Sequence, residues 1–175
     1  KTGHNHPGIP LGADGLPTGE LKGPEVMTPV GPFVGFERNL LDADEAGLRN
    51  FAKLCVRTGT TTITDLASRM DGDTVDMMLR VTNEPQYPIR LMPFRFFLGL
   101  SAPELVEAVV AMKKKATDRL RLGQIKIVVD GSIQGFSARL RWPGYHNGAP
   151  NGLWYIAPEH LSELLHLALA AGVQV

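Results

Sequence analysis

A single cysteine, Cys55, leaves the 175-residue chain without an internal disulfide, so only the backbone holds it together covalently. That usage fits a reducing compartment, and a cytoplasmic setting is the expectation. Net charge is missing too. Eighteen Lys and Arg balance eighteen Asp and Glu, which removes the electrostatic footprint of a protein built to bind nucleic acid or an anionic membrane. No apolar run approaches the roughly 18 residues of a membrane-spanning helix, and no signal peptide is visible. No Gly-x-Gly-x-x-Gly phosphate loop follows any strand pattern, so the commonest mark of a nucleotide fold is absent. The composition is otherwise ordinary for a globular protein, 43% apolar and 21% charged, with room for one sizeable core. Its partner is then expected to be a small-molecule substrate, with homo-oligomer formation left open.

Residues 1–40 hold much of the Gly and Pro and show no sustained periodicity. They read as extended or hairpin-like segments with turns at Asp14-Gly15 and Gly31-Pro32. From 41 to 175 the pattern is regular. Asp42-Ala43-Asp44-Glu45 offers a helix start, Leu48, Phe51, Ala52 and Cys55 recur at helical spacing, and Gly59 sits where a helix ends. A β-branched strand runs from Thr60 to Leu66, then a helix from Thr74 to Asn83 and a strand from Ile89 to Phe97 bent at Pro93. Ser101-Ala102-Pro103-Glu104 is a capping box opening a helix to about Thr117, with the Lys113-Lys114-Lys115 run on its solvated face. Ile125 to Asp130 is the next strand, a long aromatic-rich loop spans Gly131 to Ile156, and a last helix covers Pro158 to Ala171. No Met opens the chain, and it closes on Ala171-Gly172-Val173-Gln174-Val175 as an apolar strand begins. The expectation is an internal piece of a longer chain.

Strict alternation of helix and strand with short connections implies right-handed βαβ units and a parallel sheet. Periodicity does not separate a doubly wound sheet from a barrel. Chemistry-bearing residues at strand C-termini favour α/β architecture of the barrel kind, about three βα units of a (β/α)8 TIM barrel behind a Gly/Pro-rich segment.

Lys126 is the residue that asks for an explanation. It lies inside Gly123-Gln124-Ile125-Lys126-Ile127-Val128-Val129-Asp130-Gly131-Ser132, a β-branched run that reads as a buried parallel strand. Burying an unpaired ammonium costs several kcal/mol unless it is neutralised or converted. Alternation puts Lys126, Val128 and Asp130 on one face and Ile125, Ile127 and Val129 on the other. A lysine with a free amine suits two chemistries. It forms a Schiff base with a carbonyl substrate, as in a lyase or aldolase, or it adds carbon dioxide to become a carbamate able to bridge paired divalent metals. Asp130 is the candidate catalytic group beside it, accepting hydrogen bonds from a ligand or from metal-bound water; an Asp-Gly turn leaving the strand is the plainer account.

These segments resemble the amidohydrolase superfamily. The resemblance rests on Gly59-Thr60-Thr61-Thr62-Ile63-Thr64-Asp65, on Lys126-Ile127-Val128-Val129-Asp130-Gly131-Ser132, and on the Leu-rich helix leading to Ala171-Gly172-Val173-Gln174-Val175. Upstream, Asp14-Gly15-Leu16-Pro17-Thr18-Gly19-Glu20-Leu21 is similar to a stretch of the branch that includes N-substituted formamide deformylases. The resemblance implies a metal-dependent hydrolase on a (β/α)8 barrel. A metal-bound hydroxide would attack the C–N bond carbon of an amide, formamide or cyclic amide. It also implies that Lys126 is the carbamylated lysine ligand of one or two divalent metals, zinc first among them, and that the histidine ligands lie outside this chain. A piece holding one ligand is expected to be inactive alone, and a non-catalytic scaffold is the remaining alternative. One departure bears on substrate class: Ile133-Gln134-Gly135-Phe136-Ser137-Ala138 stands where the branch carries an arginine-containing run.

Other features are weighed on chemistry alone. His4-Asn5-His6 has the spacing of a metal pair, but no apolar strand precedes it, so a solvated loop is expected. Asp65 ends a strand and either orients substrate or caps the next segment. Within the long loop, Ser132, Arg139, Trp142 and Tyr145 are the candidate substrate-binding residues, forming with Arg141, His146, Trp154 and Tyr155 a lid for an apolar, acylated or anionic substrate. A contact between copies is the competing reading of that loop. His160 and His166 on the last helix read as surface or packing residues.

Overall fold

The computed structural model of the chain describes residues 6–34, 44–68 and 70–175. It forms two compact units, Lys1–Leu41 with Val128–Pro158 and Asp42–Ile127 with Glu159–Val175. The first half of the His-x-His pair and Asp42 of the expected helix start lie outside the described residues.

The second unit carries the sheet. Helix α2 (Glu45–Arg57) starts where the Asp44 carboxylate accepts the Gly47 N–H at 2.5 Å, and Gly59 lies just past its end with φ 73°. Strand β1 (Thr62–Ser68) leads to α3 (Gly72–Thr82), capped by Asp71 through the Thr74 N–H at 2.8 Å. Strand β2 (Arg90–Phe96) leads to α4 (Ala102–Lys113), whose Glu104 carboxylate accepts the Ser101 N–H at 2.9 Å. Strand β3 (Ile125–Lys126) completes a parallel sheet of order β1-β2-β3. After α5 (Pro158–Ala170) the chain returns to the sheet, where the Ile125 N–H donates to the Gln174 carbonyl at 2.9 Å in a parallel bridge. This mixed α/β arrangement with a parallel sheet is the one expected of part of a (β/α)8 barrel.

Two core clusters lie on one face of the sheet. Leu91 packs with Met70, Val75, Met78, Leu120 and Leu122, and Ile63, Leu48 and Met112 close on them. Ile89 packs with Ala52, Cys55, Val81 and Tyr87. Strand alternation therefore turns Ile63, Ile89 and Leu91 toward α2, α3 and α4.

The third strand is displaced from its sequence position. Pairing to β2 begins earlier, with the Leu91 N–H donating to the Arg119 carbonyl at 2.8 Å and the Arg121 N–H donating to the Leu91 carbonyl at 2.9 Å. It resumes after Gly123, whose φ of 107° and closeness to α4 admit no side chain: a Cβ there would stand 2.7 Å from the Lys113 Cβ. It ends at Lys126 because β2 stops at Phe96 and offers only the Phe97 N–H, 3.1 Å from the Lys126 carbonyl. Ile127, Val128 and Val129 are thus half-buried irregular backbone, not strand.

Pro93 is the expected bend of β2, yet the irregularity falls on the neighbouring strand. Register runs Asp65↔Pro93 and then Ser68↔Arg95, three steps on β1 against two on β2. The Asp65 carboxylate accepts the Ala67 N–H at 3.0 Å within this bulge, so the capping account of Asp65 describes what it does here.

Helices α2 and α3 are tied by charge. Arg80 and Arg49 both donate to the Glu45 carboxylate, and Arg49 also donates to Glu84. The hydrogen bond from Arg80, then that from Arg49, holds the Glu45 carboxyl below its ordinary value of 4.5, and Arg49 does the same to Glu84. A depressed folded pKa stabilises above the ordinary carboxylate value, and that contribution is lost as pH falls through the folded one. The thermal midpoint is expected to drop on acidification below about pH 4.5 more steeply than in Glu45→Gln, measured by circular dichroism in low salt.

Inside the second core cluster the Tyr87 hydroxyl is fully buried with no hydrogen-bond partner among the described residues, and burial, followed by the adjacent Cys55, pushes its pKa up. An orphaned buried hydroxyl is a net cost. Tyr87→Phe is therefore expected to raise stability by about 1 kcal/mol in urea unfolding, whereas a loss of that size would mean the hydroxyl binds internal water.

In the first unit the turn at Asp14-Gly15 forms as expected, closed by a Leu11–Pro17 antiparallel bridge with Gly15 at φ 74°. Helix α1 (Pro24–Val30) and a 3-10 turn at Gly31–Val34 replace the extended chain expected there. Pro24 in the first turn supplies a helical φ at no hydrogen-bond loss, but seven residues with Pro29 inside are too few to show a period. Among the described residues no helix is long and apolar enough to cross a membrane.

Candidate active site

Lys126 occupies the C-terminal end of its strand. Its register partner is Phe96, so both side chains lie on the face opposite the one packed on α2, α3 and α4. Ile125, on the other face, is buried at 1% exposure while Lys126 is half-buried. The strand thus hides its isoleucine and leaves the ammonium partly open, which lowers the desolvation cost inferred from the sequence. Among the described residues no hydrogen bond or ion pair engages the ammonium. Lys126 is thus an amine at a parallel strand's C-terminal end with no hydrogen-bond or ion-pair partner among the described residues.

Whether the residues present hold a metal is a separate question. Among the described residues no three His, Cys, Asp or Glu side chains converge as a ligand set. Lys126 therefore fits as one ligand and no more. His6 is taken up locally: its Nδ1 accepts the Gly8 N–H at 3.0 Å and its Nε2 faces Glu25 at 3.1 Å, the loop role expected of it. A cavity of about 460 Å³ between α2 and β1 is lined by Leu48, Phe51, Ile63 and Met78 with Asp44 and Asp65. Both carboxylates already accept backbone N–H groups, so the cavity gathers no reactive set.

The other sequence candidates belong to the first unit, in the 131–155 loop. Asp130 Oδ2 accepts the Arg139 backbone N–H at 2.7 Å, and Asp130 bridges to Trp154 in antiparallel fashion. Ser132 Oγ accepts the Gly135 N–H at 3.1 Å, and its own N–H donates to Ser137 Oγ at 3.1 Å. Arg139 Nη1 donates to the Gly152 carbonyl at 3.2 Å, and its guanidinium lies 5.2 Å from the Trp154 ring centroid. The Tyr145 hydroxyl donates to the Ala138 carbonyl at 3.0 Å, with its ring edge-on to Phe136. Trp142 is 94% exposed, and Arg139 is exposed as well. The structure therefore brings Asp130, Ser132, Arg139 and Tyr145 into one loop whose bonds are internal. His166 Nδ1 sits 2.7 Å from the Ser162 carbonyl on exposed helix, a surface role.

Sequence reasoning missed the groups that knot this loop. Asn151 Oδ1 accepts the Leu140 N–H at 2.8 Å while its Nδ2 donates to the Leu140 carbonyl at 2.8 Å, a two-bond clamp. Gly152 is buried so tightly that a Cβ would stand 2.0 Å from the Ser137 carbonyl oxygen. The dipeptide Asn151-Gly152 is turn chemistry readable in the sequence, but its partner across the loop is not.

A model of the amidohydrolase family matches residues 2–175. The chain belongs to the amidohydrolase family. Among solved structures, this amidohydrolase chain is similar to the crystal structure of an uncharacterized metal-dependent hydrolase from Pyrococcus horikoshii OT3. The two share 15% sequence identity at a TM-score of 0.56, over 94% of this chain and 33% of that one. At that identity the likeness shows the fold, and the amidohydrolase chain spans about a third of that protein's length. No curated protein gives a significant match.

Proposed function

We propose that the full-length protein is a metal-dependent hydrolase of C–N bonds in small amides, formamides or cyclic amides. Lys126 as a carbamate supplies one ligand to a divalent metal, zinc being the first candidate. The observation that carries this reading is the placement of Lys126: strand C-terminus, face away from the helices, and no partner among the described residues. Family membership and the metal-dependent hydrolase named in the similar structure support it. When bound, the metal would supply Lewis-acid polarisation of the carbonyl and activation of water.

This chain's own share is narrower. The neutral Lys126 amine adds to carbon dioxide and releases one proton, giving an anion with two oxygens. Within the 131–155 loop, exposed Trp142 is the aromatic surface proposed for an apolar substrate portion, and Ser132, Arg139 and Tyr145 hold hydrogen bonds internal to the loop. Metal content of the full-length protein, unaltered and as Lys126→Ala, tests the assignment. The Schiff-base alternative is separated by borohydride, which would fix a carbonyl substrate to Lys126 and leaves a carbamate untouched.

A further inference from the structure

Lys113 does more than the solvated run expected of it. From the last turn of α4 its stem lies over Gly123, where a Cβ would stand 2.7 Å from the Lys113 Cβ and 2.8 Å from its Cγ. Its ammonium then reaches 59 residues along the chain and donates to the Gly172 carbonyl at 2.9 Å. That carbonyl lies just past α5. The Gly172 N–H donates to the Leu169 carbonyl at 3.1 Å and the Val173 N–H to the Ala168 carbonyl at 2.8 Å, a Schellman stop with Gly172 at φ 63°. Helix α5 has no basic residue in its own last turn, so Lys113 supplies the cation that its C-terminal dipole favours.

Past Gly172 the chain meets the third strand through one parallel bridge, Gln124↔Gln174, in which the Ile125 N–H donates to the Gln174 carbonyl at 2.9 Å. In a regular parallel ladder the preceding rung would join the Gly123 N–H to the Gly172 carbonyl. Gly123 has φ 107°, and that rung is absent among the described residues. Lys113 Nζ takes the acceptor that the missing rung leaves, so a side chain extends the pairing where the backbone cannot. Lys126 follows Ile125 directly. Its other edge is held by β2, through the Phe97 N–H donating to the Lys126 carbonyl at 3.1 Å. All of these residues belong to the second unit.

We propose that Lys113 is a positioning residue for Lys126: by holding the Gly172 carbonyl beside Gly123, it sets the register of residues 173–175 on the third strand and so fixes the strand end that carries Lys126. Its effect on metal binding rests on the hydrolase reading above, while the hold on the register does not. With one backbone bridge joining this segment to the strand, loss of the Lys113 bond lets it open locally. A metal ligand whose supporting contacts are removed binds more weakly, by about 10- to 100-fold.

Two variants of the full-length protein test this. Lys113→Met keeps a stem over Gly123 and removes the donor, whereas Lys113→Arg keeps a donor. Residue-resolved hydrogen exchange compares the Ile125 amide, bonded to the Gln174 carbonyl, with the Arg95 amide, bonded to the Gln124 carbonyl on the β2 side. Zinc titration reads the consequence at Lys126. Lys113→Met is expected to lower Ile125 protection by about 5- to 10-fold, to leave Arg95 unchanged and to weaken zinc binding by about 10-fold. Lys113→Arg is expected to restore most of both losses, and losses that persist in it would overturn the role given to the donor. Unchanged Ile125 protection in Lys113→Met overturns the proposal, as does an equal loss at Arg95, which would mean general destabilisation. Lost protection with zinc binding intact overturns it too, since the register would then not govern Lys126. Zinc binding unaltered in Lys126→Ala would sink the functional reading, and the exchange result would still decide the hold on Gly172.

Discussion

Lys126→Ala in the full-length protein is expected to lower the divalent metal content per chain below that of the unaltered protein, and to lower hydrolysis by at least about 100-fold. The strand that carries it buries Ile125 and leaves Lys126 half open beside it. A lysine in that place without a carboxylate partner among the described residues contributes nothing to stability that alanine would forfeit, apart from the packing of its stem. Folding should therefore survive, with stability changed by less than about 1 kcal/mol. Lys114→Ala, an exposed lysine on the basic run after α4, serves as the control and should change neither metal nor rate. Elemental analysis after gel filtration gives the metal count. An unaltered count would remove Lys126 from the ligand set, whatever the rate did.

Gly152→Ala carries the second large effect, this time on the loop. A Cβ at residue 152 would stand 2.0 Å from the Ser137 carbonyl oxygen, 2.3 Å from its carbon and 2.4 Å from the Ala138 carbonyl oxygen. All three are backbone atoms, so no side chain can rotate aside to admit the methyl. Two hydrogen bonds converge on the same place, since the Gly152 N–H is shared between the Ala138 carbonyl at 3.1 Å and Asn151 Oδ1 at 2.9 Å. Moving the backbone to relieve the clash breaks them, and overpacking plus lost bonds amounts to about 3 kcal/mol or more. Gly72→Ala is the matched comparison. Nothing lies within 4 Å of a Cβ there, and it opens helix α3, so alanine should be neutral or stabilising. Urea unfolding of both variants checks the contrast.

Local chemistry made the sheet unit readable from sequence. Asp44 and Ser101 sit before their helices as short polar caps, Gly59 lies past the end of α2 with positive φ, and the β-branched run at Thr60–Leu66 lies largely within β1, whereas α3 begins behind its Asp71 cap two residues before the Thr74 start read from the sequence. What the sequence hid was every feature that depends on a distant partner. The early half of the third strand reads as a charged connection, Asp118-Arg119-Leu120-Arg121-Leu122, and only the Leu91 pairing turns it into sheet with Leu120 and Leu122 in the core. In the same way Lys126 was legible as an oddity because a cation in an apolar run is a local signal. The loop's architecture was not, because the bond from Asp130 to Arg139 and the clamp of Asn151 on Leu140 span nine and eleven residues. An aspartate at a strand end carries no mark of the backbone amide it binds, so the Asp130 bond to Arg139 was not legible beside its reading as a catalytic candidate.

The direct test of the central claim is the electron density at Lys126 Nζ in crystals of the full-length protein grown with zinc and bicarbonate. A planar carboxylate group continuous with Nζ, its oxygens directed at metal, is the predicted result. A bare ammonium paired with an Asp or Glu, with metal bound elsewhere, would contradict it.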